Sequence, residues 1–300
     1  MKRALVTGGS GFLGSFIADV LTEKGLEVTI FDRQPSPYLG SGQSMVVGDV
    51  RNSEALVSAA EGADAVFHFA ALADLNEAHA RARETTETNI LGTVNALQAA
   101  QQVGASRFLF ASTVYVYSRA GGFYRCSKQA CEAYIEEFQV QAGLPFTILR
   151  YGSLYGPRSG ESNGVYRLLK QAAQEGRVAA IGHPDDTREY LHVEDAARLS
   201  VEALEKDYEN RRLVITGSHP TRLRDLFTMF SEILGQKLDI EYQEPETNHD
   251  THYRVTPYTF TPRTGHKLTA RHSVDMGQGV LQLLEELHGE AQTDTEDGTR

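Results

Sequence analysis

The sequence predicts an α/β protein: a doubly wound parallel sheet followed by a smaller mixed α/β lobe. Three observations carry this. Short apolar runs alternate with amphipathic stretches through the first half of the chain. A glycine-rich turn, TGGSGFLG at 7–14, joins the first run to the first helical stripe. After about residue 153 the alternation becomes less regular. Strands alternating with helices imply a parallel sheet covered on both faces.

The elements follow in order. ALVTG, VTIFD, MVVGDV, AVFHFAA, RFLFAST and FTILRYG read as buried strands. Phe12, Leu13, Phe16, Ile17, Val20 and Leu21 form a helical stripe that Gly25 closes. A second stripe, Ala130, Cys131, Tyr134, Ile135 and Phe138, continues from FYRCSK at 123–128. Beyond it come a helix near 164–175, a short VAAIG strand, a helix from Glu194 and a strand, RLVIT, at 212–216. The expected division is a dinucleotide-type domain over 1–152 and a lobe over 153–288. Parts of the lobe near 190–216 return to the sheet, and the polar stretch 289–300 reads as a disordered tail.

Composition excludes several classes. The chain of 300 residues is 41% hydrophobic and 23% charged, ordinary for a globular protein. A net charge of −11 argues against a general nucleic-acid binder. No run approaches the ~20 apolar residues of a membrane span, and MKRALVTG does not read as a signal peptide. Cys126 and Cys131 are the only cysteines and lie five apart on one predicted helix, poorly placed for a disulfide. A reducing, cytoplasmic setting is the simplest expectation. No metal site is expected.

The glycine turn carries the first chemistry. Gly8, Gly11 and Gly14 turn the chain tightly, admit a pyrophosphate to the backbone and let helix pack on strand. The amides that open the helix, around Phe12 and Leu13, then meet the phosphates with the positive end of its dipole. Asp32 ends the second strand eighteen residues after Gly14. A carboxylate there accepts hydrogen bonds from an adenosine ribose and repels a 2′-phosphate, which favours NAD over NADP. Arg33 works against that inference, since an arginine beside the site could accommodate the phosphate. Asp49 closes the third strand; it could meet the adenine amino group or simply form a turn or cap.

Tyr124 and Lys128 share a helix face at i and i+4. Alone, that spacing fits a chance pair on a solvated face as well as a phenol tuned by an ammonium. Together with the glycine turn, it resembles the short-chain dehydrogenase/reductase superfamily. Further motifs are similar to its extended branch, the NAD-dependent epimerase/dehydratase family that acts on nucleotide sugars. These are GDV at 48–50, HFAA at 68–71, NILGT at 89–93, FASTVYVYS at 110–118, LRYGSLYGPR at 149–158 and REYLHVEDAA at 188–197. The resemblance spans roughly residues 3–285.

The resemblance implies a Rossmann-type doubly wound parallel sheet with a smaller mixed α/β C-terminal substrate lobe, and a homodimer. It implies Thr113 as the hydroxyl that bonds the substrate, with Ser112 as the alternative, Tyr124 as acid/base and Lys128 as the cation that lowers the tyrosine pKa. Val50, Phe69, Ala70, Ala71, Ser112 and Tyr151 would line NAD, with Asn89 behind the active site. Arg188, Asn163, Ser153 and Tyr253 would face a UDP- or GDP-linked sugar. A surface ion pair is the other reading of Arg188.

Departures narrow the expectation. Family dehydratases and decarboxylases carry acidic residues just after the catalytic threonine; here those positions are Val114 and Tyr115. Elimination needs an extra acid and base, so dehydration and decarboxylation are not expected. The loop between Thr113 and Tyr124 is short, Ser153 replaces a frequent asparagine, and HYRVTPYTFTPR at 252–263 stands where an Arg-Pro-Gly-Asp signature is usual. That segment could cover a nucleotide or merely pack. The activity that the resemblance implies is oxidation of a sugar ring carbon, C4, through a 4-keto intermediate, leading to 4-epimerisation. A C4 dehydrogenase that releases the ketone and a non-catalytic dinucleotide sensor are the alternatives. Asp32 generates the first prediction: NAD(H) binds more tightly than NADP(H) when both are titrated. Equal or tighter NADP(H) binding would refute its role.

Overall fold

The computed structural model describes residues 1–244 and 253–259. All of them lie in one compact unit, Met1–Thr261. The tail from 289, and the parts of the 153–288 lobe and of the 252–263 segment at 245–252 and from 260 onward, fall outside the described residues.

In chain order the elements begin with β1 (Arg3–Thr7), α1 (Phe12–Glu23), β2 (Glu27–Asp32), β3 (Gln43–Val47), α2 (Ser53–Ala60) and β4 (Ala65–His68). Next come α3 (Leu75–Ala80), α4 (Ala82–Thr85), a π-helical turn (Thr86–Leu91), α5 (Gly92–Gln102) and β5 (Arg107–Thr113). A 3₁₀ turn (Val114–Tyr117) leads to α6 (Gly122–Ala142), β6 (Phe146–Tyr151) and β7 (Ser153–Tyr155). The rest are α7 (Gly164–Glu175), β8 (Arg177–Ile181), β9 (Thr187–His192), α8 (Val193–Glu202), β10 (Arg211–Ile215), β11 (Pro220–Arg222), α9 (Leu223–Leu234) and β12 (Asp239–Gln243).

Seven strands form one sheet in the order β3-β2-β1-β4-β5-β6-β10, and every pairing is parallel. Strand order reverses between β1 and β4, where doubly wound sheets open a ligand crevice at the carboxyl ends. Alternate residues feed two cores. Val6, Ile17, Leu21, Phe67, Leu149 and Val193 meet on one face; Leu5, Phe31, Val66, Leu97, Phe108 and Ile135 meet on the other. Full burial of a side chain such as Leu5 or Phe67 stabilises by about 1.5–3 kcal/mol. The lobe has its own core around Val178, Leu223, Phe227 and Phe230. It carries a three-stranded sheet, β11-β9-β7, and a two-stranded one, β12-β8.

Two sequence expectations are corrected. MVVGDV is not a buried strand: β3 is an edge strand that ends at Val47, and Val46 and Val47 are exposed. VAAIG is a strand, as expected, and pairs with β12. On α6, Tyr134 is exposed, and the inward face is Ser127, Lys128, Cys131, Glu132 and Ile135. The apolar pattern missed this because half of that face is polar and partnered inside. Cys126 is exposed, Cys131 is buried, and both are free thiols.

One buried polar chain ties the sheet to the helices. His68 is fully buried. Its Nδ1 lies 2.8 Å from Thr7 Oγ1 and its Nε2 3.1 Å from Thr93 Oγ1. Thr93 donates to the Asn89 carbonyl at 2.6 Å, so its oxygen accepts from Nε2–H and Nδ1 accepts from Thr7. Burial, then the charge of Lys128, pushes His68 from 6.5 down to about 3. The unfolded chain therefore binds a proton that the folded one refuses. His68 contributes stability that is complete above about pH 6.5 and is lost as pH falls toward 3. In urea denaturation, wild type should lose stability between pH 6.5 and 4, and His68→Gln should show a shallower slope, by up to about 1.4 kcal/mol per pH unit. Equal slopes would exclude His68 as the group responsible.

Candidate active site

The site is built at the carboxyl ends of β1, β2, β4, β5 and β6. Gly8 has φ of 73°, and a Cβ there would lie 2.6 Å from Ala70 N. A Cβ at Gly14 would lie 2.2 Å from Gly8 O. The turn can only be this tight without those side chains. At Gly11 the nearest obstacle to a Cβ is Gly8 O at 3.2 Å, and no side chain caps α1. Space and first-turn amides are thus kept for an anion, an arrangement that fits the pyrophosphate of a dinucleotide.

Asp32 stands across this turn. Its Oδ2 accepts from Ser10 N at 3.0 Å and its Oδ1 from Gln34 N at 3.4 Å. Arg33 is largely exposed and lies 4.0 Å from Glu84. Asp49 serves the turn before α2. Arg51 donates to it from Nη2 at 2.6 Å and from its own amide at 2.9 Å, and that hydrogen bonding holds the carboxyl below the usual range. Val50 is buried, close against Gly92. Phe69 follows β4, its amide donating to Thr7 O at 3.0 Å and its ring 6.1 Å from Tyr151. Ala70 N approaches Thr7 Oγ1 at 3.3 Å, and Ala71 is the next residue along. Tyr151 is buried with its hydroxyl 2.6 Å from Ser200 Oγ.

Thr113 ends β5, its Oγ1 accepting from Tyr115 N at 3.2 Å. Ser112 faces the other way, as strand alternation requires, and donates to Glu132 Oε1 at 2.5 Å. Its hydroxyl is committed there, which leaves Thr113 as the hydroxyl of the pair. Tyr124 lies in the first turn of α6, launched by Gly121 and Gly122, both at positive φ. Lys128 is buried. Its Nζ donates to Ala111 O at 2.7 Å and sits 4.6 Å from the Phe110 ring centre and 5.7 Å from that of Tyr124. Asn89 braces this helix from behind: it exchanges bonds with Leu72 and donates to Ser127 Oγ at 2.9 Å, and Ser127 donates to Tyr124 O.

The electrostatics correct one expectation. Lys128 was expected to lower the Tyr124 pKa. Instead burial, then Cys131, pushes the phenol above its ordinary value, and burial brings Lys128 down to about 8. Desolvation penalises both charged forms. The resting pair is a protonated phenol beside an ammonium with a weakened hold on its proton.

On the substrate side, Ser153 Oγ lies 3.1 Å from the Tyr253 hydroxyl. The Tyr253 ring is 4.8 Å from that of Tyr115 and 6.0 Å from the Arg188 guanidinium. Burial, then Tyr253, raises the Tyr115 phenol. Asn163 caps α7: its Oδ1 accepts from Tyr166 N at 3.1 Å and its Nδ2 donates to Leu154 O at 2.8 Å. So Thr113, Tyr124 and Lys128 form one group and Ser153, Arg188 and Tyr253 another, joined through Tyr115. Asn163 shapes the lobe.

The sequence reading missed Glu132 and Arg150, which form a buried ion pair of 2.5 Å. Two signals pointed to them: Glu132 repeats the four-residue spacing of Tyr124 and Lys128, and Arg150 interrupts the apolar strand FTILRYG. Among the described residues, no group of three His, Cys, Asp or Glu could hold a metal ion, and no helix is long and apolar enough to cross a membrane.

The chain is similar to known proteins in sequence and fold. Residues 4–216 match the model of the NAD dependent epimerase/dehydratase family. The UDP-N-acetyl-alpha-D-glucosaminuronate decarboxylase of Bacillus cytotoxicus is 31% identical over 243 residues, 72% of this chain and 75% of that one. The UDP-glucose 4-epimerase of Thermotoga maritima, solved with UDP-glucose, superposes with a TM-score of 0.78 at 27% identity, covering 86% of this chain and 90% of that chain. The UDP-glucose 4-epimerase of Thermus thermophilus, solved with NAD, gives a TM-score of 0.75 at 26% identity over 87% and 90%. The chain belongs to the NAD-dependent epimerase/dehydratase family.

Proposed function

We propose that this protein is an NAD-dependent nucleotide-sugar 4-epimerase. The observation that carries the reading is the set Thr113, Tyr124 and Lys128 at the mouth of the sheet, followed by Val114 and Tyr115 in place of carboxylates. NAD, when bound, supplies the hydride acceptor and, once reduced, the hydride donor. The glycine turn holds its pyrophosphate and Asp32 its adenosine ribose. Thr113 and Tyr124 receive one sugar hydroxyl between them. Tyr124 takes the hydroxyl proton, and Lys128 stabilises the phenolate. The raised phenol means that this base is poor until further positive charge enters beside it. Inversion requires the ketone to turn over in the pocket: Tyr124 then returns its proton to the ketone oxygen, while the carbon takes hydride from the reduced cofactor on its opposite face.

The relatives support a nucleotide sugar as substrate: the Thermotoga maritima enzyme was solved with UDP-glucose. Arg188 is the cation assigned to the diphosphate, with Ser153 and Tyr253 beside it. Decarboxylation, the activity named for the Bacillus cytotoxicus relative, is not assigned, because Val114 is buried and apolar and Tyr115 is a high-pKa phenol.

The test incubates enzyme and NAD with a panel of UDP- and GDP-linked sugars, following NADH absorbance and separating the sugars. Inverted C4 stereochemistry without net NADH is expected. Stoichiometric NADH or a released 4-keto sugar, with no epimer, would assign a dehydrogenase instead. Tyr124→Phe should keep the fold and dinucleotide affinity but reduce kcat by ~10²–10⁴-fold. Retention of more than about a tenth of kcat would place the base elsewhere.

A further inference from the structure

Helix α6 turns a polar stripe inward. Tyr124, Lys128 and Glu132 succeed one another every four residues, about one turn apart on one face. The Glu132 carboxylate is buried and held from two sides. Ser112 Oγ donates to Oε1 at 2.5 Å; Arg150 donates from Nε to Oε1 at 3.0 Å and from Nη2 to Oε2 at 2.5 Å. Arg150 continues to Tyr117, bonding its hydroxyl and lying 4.7 Å from its ring centre. Four side chains thereby join the end of β5, the 3₁₀ turn, α6 and β6. Thr113 lies between Ser112 and that turn. The proposed proton transfer uses neither Glu132 nor Arg150.

A buried ion pair needs an explanation beyond stability, because well-packed apolar residues often serve as well. We propose that the Glu132–Arg150 pair, braced by Ser112 and Tyr117, is the positioning element of the active site. Arg150 fixes the turn after Thr113 against α6, and Glu132 supplies the counter-charge one helical turn from the Lys128 ammonium. This deepens the epimerase reading and rests on Lys128 being the cation of that site.

The surroundings of Lys128 leave Glu132 in that role. β4 brings His68, which is neutral. β5 brings the Ala111 carbonyl and the Phe110 ring. β6 brings Arg150, already paired with Glu132. The π-helical turn and α5 bring neutral Asn89 and Thr93, and the 3₁₀ turn brings the phenols Tyr115 and Tyr117. The charges of α3 and α4 pair with one another or with Glu87 at the surface, Arg81 with Glu77 and Glu84 and Arg83 with Glu87. From α6 itself come Tyr124, Cys131 and Glu132; Cys131 and Glu132 oppose the burial that weakens the Lys128 proton.

The test follows Lys128 directly. The full chain, with and without NAD, is labelled at lysine Cε and titrated by NMR, the Lys128 signal being assigned by its loss in Lys128→Arg. Wild type should titrate near 8. Glu132→Gln should titrate at least about half a pH unit lower. Glu132→Gln/Arg150→Met leaves no unpaired buried charge and should keep that lower midpoint. The alkaline limb of kcat should move down with it, because the ammonium is then lost at lower pH. A wild-type midpoint in the double variant would overturn the proposal and reduce the pair to a structural bridge. If both charge variants unfold, Ser112→Ala decides: kcat should fall about threefold or more at unchanged NAD affinity, and wild-type kcat would overturn the proposal. The titration needs no turnover, so absence of epimerisation would count against the proposed function and not against this assignment.

Discussion

Seven strands that all run one way bring their carboxyl ends out along a single edge. That constraint organises the rest of the molecule. The glycine turn follows β1, Asp32 ends β2, Phe69–Ala71 follow β4, Thr113 ends β5 and Tyr151 ends β6. Residues more than a hundred positions apart in sequence share one rim because parallel pairing forces a crossover between each pair of strands. The reversal of strand order between β1 and β4 separates the helices there and leaves the crevice open.

Behind that rim the interior holds an unusual amount of polar chemistry for a buried region. His68, Lys128, Glu132 and Arg150 are all at most 5% exposed. Each is partnered: His68 by two threonines, Lys128 by a backbone carbonyl, and Glu132 by Arg150 and Ser112. An unpartnered ionisable group at such depth would be expelled or neutralised. The same depth makes the site responsive. With the ammonium weakened, a change of nearby charge shifts the Lys128 proton, whereas the raised phenol holds its own more firmly.

Part of the C-terminal half returns to the main sheet. β10 pairs with β6 in the main sheet, and α8 packs in the same core as α1. The segment at 253–259 lies along β9: Thr187 N donates to Arg254 O at 2.9 Å, and Arg254 Nε reaches Asp186 at 3.2 Å. These contacts seat Tyr253 against Tyr115, which links the strand-end chemistry to Arg188.

The sequence alone determined the features that local periodicity encodes. The turn at 7–14 needs glycines because two backbones meet there. Tyr124 and Lys128 share a face because a helix repeats every 3.6 residues, and the apolar runs that alternate with helices leave little freedom but a parallel sheet. Tertiary structure decided what lies beyond that range. Glu132 meets Arg150 across 18 positions, His68 meets Thr7 across 61, and Ser153 meets Tyr253 across 100. No periodicity spans such separations. Depth also had to be known before the sign of the Tyr124 shift could be assigned, because the loss of water raises the phenol.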